Sequence, residues 1–204
     1  MASHEYQVIG SRRIFEGRVA AVRSDQVVMP GGGSSQRDVF ELPGAVGIVA
    51  LDENEKVLLV RQYRHPVRRR LWEIPAGLLD STRESATQAA QRELFEEGYV
   101  RAAEWFTLVD TLTSPGMSDE TVRILLARDL EDVPAPQRHV GIHEEAEMEL
   151  AWVPLDRAVE RCLSGDLENG ITVAGLLAAR LALNRGLVGL RGPAAPWRAR
   201  KGPA

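Results

Sequence analysis

One cysteine, Cys162, is all the thiol this 204-residue chain carries. A single thiol closes no internal disulfide, so packing must hold the fold, and a reducing compartment is expected. Long apolar runs are missing as well: stretches such as "AVGIVAL" fall far short of the roughly 20 residues that a membrane span needs. The start, "MASHEYQVIGSRRIF", lacks the basic head and apolar stretch of a secretory leader. A basic excess is absent too. The net charge of −4 argues against nucleic acid as the main partner, yet leaves room for a small phosphorylated ligand. His139 and His143 have no companion Cys or second close His pair at the spacing of a structural zinc site. These absences leave a soluble, cytoplasmic protein without nucleic-acid or membrane partners as the expectation.

What is present is an ordinary globular mixture, 44% hydrophobic and 26% charged, enough for one domain with elaborated ends. Strand-like pieces "YQVIGSRRIF", "RVAAVRSDQVVM" and "RDVFEL" open the chain, the last two separated by the turn "PGGGSSQ". "AVGIVALDENEKVLLVRQY" reads as a hairpin of two buried strands about the turn "DENEK". "RHPVRRRLWEIPAGLLDST" reads as a loop. From Glu84 to about Glu97, Ala86, Ala89, Ala90 and Leu94 recur at helical spacing. Further on come strands "EWFTLVDTLTS", "TVRILLARDL" and "ELAWVPL", then helices "LDRAVERCLSG" and "TVAGLLAARLALNRG", each ending at a glycine. Mostly antiparallel strands with a central helix and C-terminal helices imply a mixed α/β or α+β sandwich.

The helix "RELFEEGYV" crowds Glu93, Glu96 and Glu97 into little more than one turn. Residues four apart share a face, so Glu93 and Glu97 project side by side, at a cost of a few tenths of a kcal/mol on an isolated helix. Two kinds of compensation are open. Solvent and salt bridges, such as Arg92 with Glu96, would serve a plain surface helix. A hard divalent cation, which takes oxygen ligands from one or two carboxylates and keeps waters for substrate phosphates, would serve a metal site.

"GLLDSTRESATQAAQRELFEEGYV", residues 77–100, resembles the signature of the Nudix hydrolases, GX5EX7REUXEEXGU with U a bulky aliphatic residue. Six residues, not five, separate Gly77 from Glu84, and Tyr99 stands where the signature has its late glycine, with Gly98 one position early. Gly98 would then supply the left-handed turn. The resemblance implies an α/β/α sandwich with a mixed sheet, preceded here by an N-terminal antiparallel strand region. It also implies Mg²⁺, or Mn²⁺ in its place, as two or three ions on Glu93, Glu97 and the Ala76 carbonyl. Glu96 would support them, and Arg92 and Glu84 would orient the shell.

Two segments outside this box resemble the ADP-ribose pyrophosphatase branch of the family. "TSPGMSDETVRI", 113–124, matches its substrate loop, with Gly116, Ser118 and Glu120 as contacts. "HEEAEMEL", 143–150, matches the loop carrying the carboxylate that activates water, with Glu145 the first choice and Glu144 the second. Arg64 in "RQYRHP" would fork onto the diphosphate. Arg68, Arg69 and Arg70 read as a solvated run, and Trp72 as packing beneath the metal loop, with stacking on a base as its other reading. The implied reaction is hydrolysis of ADP-ribose to AMP and ribose 5-phosphate, with another nucleoside diphosphate derivative, or binding without cleavage, as alternatives. The implied organisation is a strand region at 1–43 that pairs a swapped homodimer, a hydrolase domain at 44–188, and a frayed tail at 189–204.

Overall fold

The computed structural model describes residues 5–79, 84–139 and 147–200. Its centre is strand β4 (Ala45–Ala50), all six residues of which are buried. Successive side chains of a strand face opposite ways, so a strand covered on both faces reads as an unbroken apolar run. That is how β4 divides. Val46, Ile48 and Ala50 enter one apolar cluster, and Ala45 and Val49, with Leu51 just beyond the strand, enter another.

β4 lies in a mixed sheet of order β7-β4-β9-β8, built with β7 (Ala76–Leu78), β8 (Val100–Leu112) and β9 (Thr121–Asp132). It runs antiparallel to β7 and parallel to β9. A second, antiparallel sheet has the order β10-β5-β6, with β5 (Lys56–Arg64), β6 (Arg69–Glu73) and β10 (Glu149–Pro154). β5 is shared in the same way, Leu58 going to the first cluster and Val57 and Leu59 to the second.

Helix α1 (Ala86–Gly98) covers the first cluster with Ala86, Ala89, Ala90 and Leu94. Its start is a capping box: Ser85 Oγ accepts the Gln88 N–H, and Gln88 returns the favour to the Ser85 N–H. α2 (Leu155–Leu163) and α3 (Gly170–Asn184) cover the second. α3 begins on Asn169, whose Oδ1 accepts the Thr172 N–H at 2.9 Å. It approaches β4 closely: a Cβ on Gly47 would lie 2.9 Å from Ile171, and one on Gly175 would lie 3.1 Å from Val49. The result is an α/β/α sandwich.

Three expectations are corrected. The residues read as a hairpin do not pair along their length; only the bridge Leu51↔Val57 joins them before each strand enters its own sheet. Both edges of β4 are taken by β7 and β9, and the Asp52 carboxylate, accepting N–H groups of Asn54 and Lys56, turns the chain away. The segment read as a loop contains β6 and β7. And the tail is docked, not frayed, as far as it is described: Thr107 donates its N–H to Arg191 O, and Arg123 donates to the carbonyls of Ala195 and Pro196.

The N-terminal strands β1 (Val8–Glu16), β2 (Ala21–Val28) and β3 (Ser34–Glu41) form a separate antiparallel sheet in that order. Every residue of β1 is exposed, Val8, Ile9, Ile14 and Phe15 included. The β2–β3 turn places Gly31, Gly32 and Gly33 at positive φ, which glycine adopts without steric cost.

Candidate active site

β7 is three residues long and pairs Ala76 with Gly47, Gly77 with Val46 and Leu78 with Ala45. The Pro75 carbonyl accepts the Ile48 N–H at 2.8 Å. Antiparallel pairs alternate between bonded and non-bonded positions, so the next residue, Ala76, turns its backbone groups away from β4. Its N–H meets Oε2 of Glu97 at 3.0 Å. One residue on, Gly77 leaves room for Glu93: a Cβ there would fall 2.0 Å from Glu93 Oε1. Two glutamates one helical turn apart thus converge on one dipeptide.

Arg92 binds Glu93 together with the two further acids, Glu84 and Glu96. Its Nη1 donates to Glu93 Oε1 at 2.6 Å and to Glu96 Oε2 at 3.3 Å, and its Nε and Nη2 reach the two oxygens of Glu84 at 3.2 and 3.3 Å. Nη2 also meets the Leu78 carbonyl at 3.4 Å. Burial opposes the arginine's charge, but the hydrogen bonds and charges of Glu84 and Glu93 outweigh it and push its pKa further up. Hydrogen bonds to charged groups contribute about 1.5–3 kcal/mol each, against a few tenths for the repulsion along the helix, so the clamp wins. Arg92 thus lies between Glu84 on one side and Glu93 and Glu96 on the other.

The donor chemistry fits a hard divalent cation. Glu93, nearly buried at 8% exposure, and Glu97 offer carboxylate oxygens beside an outward-turned backbone segment, with no sulfur or imidazole among them. Among the described residues no three His, Cys, Asp or Glu side chains close into a cage. Mg²⁺ keeps several waters and needs only one or two carboxylates, so an open arrangement suits it.

Arg64, at the end of β5, grips Glu73 of β6 with Nε at 3.0 and 3.2 Å and Nη2 at 2.6 Å. That bond, and the more distant Glu97, raise its pKa despite burial. Glu73 is only 1% exposed and was not singled out from the sequence; its one local signal is an acid placed three residues before Ala76 in an otherwise apolar stretch. On the same side of β5, the amide nitrogen of buried Gln62 finds no hydrogen-bond partner among the described residues. Trp72 packs on the core cluster beneath α2 and α3, with Arg61 5.9 Å from its ring centre. Arg68 is left-handed, whereas Arg69 and Arg70 are strand residues ion-paired to Glu168 and Glu147. The run is therefore not merely solvated.

The segment between β8 and β9 is a folded turn. Ser114 O accepts the N–H groups of Met117 and Ser118, Ser118 Oγ accepts the Glu120 N–H, and Thr113 donates its hydroxyl to Glu120. β3 pins it from outside: Phe40 bonds Met117 O and the Asp119 N–H, and Asp119 Oδ1 accepts the Leu42 N–H at 3.0 Å. Asp119 is a second residue that sequence reasoning passed over. Gly116 has open space where a Cβ would stand. Because Val122 pairs with Ala45, which pairs with Leu78, this turn and β7 lie at the same end of the sheet. Glu144, Glu145 and His143 lie outside the described residues, and His139 is exposed.

The left-handed residue that closes α1 is Tyr99, not Gly98. Tyr99 adopts the left-handed conformation (φ 53°, ψ 36°) and donates its N–H to Leu94 O. Arg138 stands 5.1 Å from its ring centre. Gly98 stays helical, and its missing Cβ would fall 2.7 Å from Leu58.

A family model described as NUDIX domain matches residues 41–171. An ADP-ribose pyrophosphatase of Mycobacterium tuberculosis is 48% identical over 178 residues, covering 87% of this chain and 84% of that protein. A methanol dehydrogenase activator of Bacillus methanolicus is 35% identical over 158 residues, covering 76% and 82%. A crystal structure described as an ADP compounds hydrolase shares the fold, with TM-score 0.78 at 20% identity over 92% of this chain and 100% of that one.

Proposed function

The chain belongs to the Nudix family, and from that premise we propose that it hydrolyses the diphosphate of ADP-ribose to AMP and ribose 5-phosphate. The observation that carries the reading is the convergence of Glu93 and Glu97 on Ala76 and Gly77 within the Arg92 clamp. The substrate choice is supported by the relative of the same name and by the folded turn ending in Glu120.

Mg²⁺, or Mn²⁺ in its place, as two or three ions on Glu93, Glu97 and the Ala76 carbonyl with Glu96 in support, supplies charge neutralisation and Lewis acidity toward the diphosphate when bound. Arg92 keeps the carboxylates aimed, with Glu84 anchoring its far side. Arg64 gives Nε and Nη2 to Glu73, so its Nη1 is the atom to meet a diphosphate oxygen. Gly116, Ser118 and Glu120 hold the ribose and phosphates. Glu145, or Glu144 in the neighbouring register, accepts the proton of the attacking water, and one P–O bond of the anhydride breaks.

A homodimer formed through β1–β3 belongs to the same proposal, supported by the wholly exposed β1 with Phe15 at 57% exposure. So does a cytoplasmic location, supported by the lone Cys162. No helix among the described residues is long and apolar enough to cross a membrane.

A panel of nucleoside diphosphate derivatives, scored for nucleoside monophosphate release with Mg²⁺, tests the substrate. ADP-ribose should turn over fastest; a sugar nucleotide or dinucleotide turning over as fast would overturn the choice. Light scattering on the eluting peak tests the dimer.

A further inference from the structure

Arg123 of β9 is only 3% exposed, and it receives the C-terminal tail. Two of its nitrogens bind the Asp110 carboxylate at 2.8 and 3.0 Å, and it also donates to Ala195 O at 2.7 Å and Pro196 O at 3.2 Å. Trp197 covers the guanidinium, 5.0 Å from ring centre to Arg123 Cζ. A buried arginine is costly unless its donors are matched, and here part of the match is tail backbone. Further anchors run along the tail: Arg191 to Asp110, Gly192 O to the Thr107 hydroxyl, and Pro193 O to the Thr87 hydroxyl of α1.

Where the tail arrives decides its meaning. Trp197 Nε1 donates to Thr121 Oγ1 at 3.0 Å, and that hydroxyl donates onward to Thr111 O at 3.2 Å. Thr121 follows Glu120 directly. The ring also comes to Gly44, whose absent Cβ would lie 3.1 Å from Leu79, 3.6 Å from Thr121 O and 3.8 Å from Trp197. Gly44 O accepts the Leu79 N–H at 2.8 Å, and Leu79 follows β7 directly. Around one glycine, then, meet the strand leaving the carboxylate site, the strand leaving the 113–120 turn, and the tail.

We propose that Trp197 is a positioning residue, which sets the 113–120 turn relative to the Ala76–Leu78 segment so that one substrate meets both. The inference rests on the hydrolase reading above. A plain cover for the apolar cluster that Trp197 also touches would need neither the bond to Thr121 nor the contact at Gly44. Substrate held by two separately placed segments makes its contacts to both only while their offset is kept, so a lost offset weakens binding through polar groups left imperfectly paired.

The experiment compares full-length wild type with Trp197→Ala, Trp197→Phe and Thr121→Val, by steady-state kinetics with saturating Mg²⁺ well below each melting temperature. Trp197→Ala is expected to raise KM for ADP-ribose on the order of tenfold, with kcat changed by less than about threefold. Trp197→Phe, keeping the ring but not the N–H, and Thr121→Val, removing the acceptor with the tail intact, are each expected to raise KM by a smaller factor. Together those two should give no more than the larger alone, since the bond between Trp197 and Thr121 is lost in both. If Trp197→Ala does not fold, that pair decides. A melting temperature that falls while KM stays at the wild-type value overturns the proposal, as does a loss confined to kcat. Should wild type prefer another nucleoside diphosphate derivative, the substrate reading fails and the same KM comparison is scored on that compound.

Discussion

The Cβ that Gly77 lacks would stand 2.0 Å from Oε1 of Glu93 and 2.1 Å from its Cδ, so the glycine of the loop and the buried glutamate of the helix occupy one space between them. Neither can change without moving the other. Gly77→Ala is expected to push the Glu93 carboxylate off Arg92 and lower kcat by about a hundredfold, while the fold persists. Kinetics beside far-UV circular dichroism of the variant check this, and near-normal turnover would refute the contact.

Glu93→Gln and Glu97→Gln separate metal binding from folding. Each amide keeps an oxygen, for Arg92 in the first case and for the Ala76 N–H in the second, so stability should change by about 1 kcal/mol or less. Mn²⁺ affinity, read by titration calorimetry, should fall by about a hundredfold or more. Unchanged affinity in both would sink the metal assignment.

Arg64 and Glu73 form a pair with one buried member. Removing the arginine leaves a carboxylate at 1% exposure without its partner. Arg64→Ala is expected to cost roughly 3 kcal/mol, toward the low end for buried pairs because Arg64 itself is partly open to water. Adding Glu73→Leu to Arg64→Ala should recover part of that loss. Urea denaturation of both variants and of the double variant reads the coupling, and simple additivity would mean that Glu73 is satisfied by other groups.

Tyr99 holds a left-handed conformation that glycine adopts freely. Tyr99→Ala should be less stable than Tyr99→Gly by about 1 kcal/mol. Tyr99→Gly itself should stay near wild type, relief of backbone strain offsetting the lost contact with Arg138. Thermal melts of the two variants measure the difference, and equal midpoints would show that the conformation is not strained.

Asp110 gives the tail a pH dependence. Burial works against its charge, but hydrogen bonds from Arg123 and Arg191 prevail and hold its carboxyl below the ordinary value of 3.8. An acid with a depressed folded pKa adds stability that is complete above its unfolded value and disappears as pH falls through the folded one. Wild type and Asp110→Asn should therefore differ most near neutral pH, and the difference should begin to shrink as pH falls below about 4. Denaturation midpoints from pH 3 to 7 test it; a constant difference across that range would count against the linkage.

The parts legible in the sequence were those whose information is local. Helical spacing announced α1 and its buried alanines, and the four-residue interval between Glu93 and Glu97 announced a shared face. Where reading failed, the missing quantity was the identity of a neighbour. Apolar runs flanking "DENEK" look like a hairpin because alternation describes a strand's faces and says nothing of which strand lies at its edge. Tyr99 was passed over for Gly98 because glycine is the usual left-handed residue. Yet Gly98 was needed for a close approach to Leu58, which no local rule displays.

By itself the sequence determined the charged array, its helix, the family and the residue types that a divalent cation would meet, all consequences of spacing along one short segment. The tertiary structure alone decided that Glu73 pairs with Arg64, that Asp119 ties the 113–120 turn to β3, and that the tail closes on Arg123. Each joins residues 9 to 77 positions apart. Such pairs are chosen by competition for burial and hydrogen bonds once the sheets have formed, and that competition takes place between strands, beyond the reach of any pattern within one.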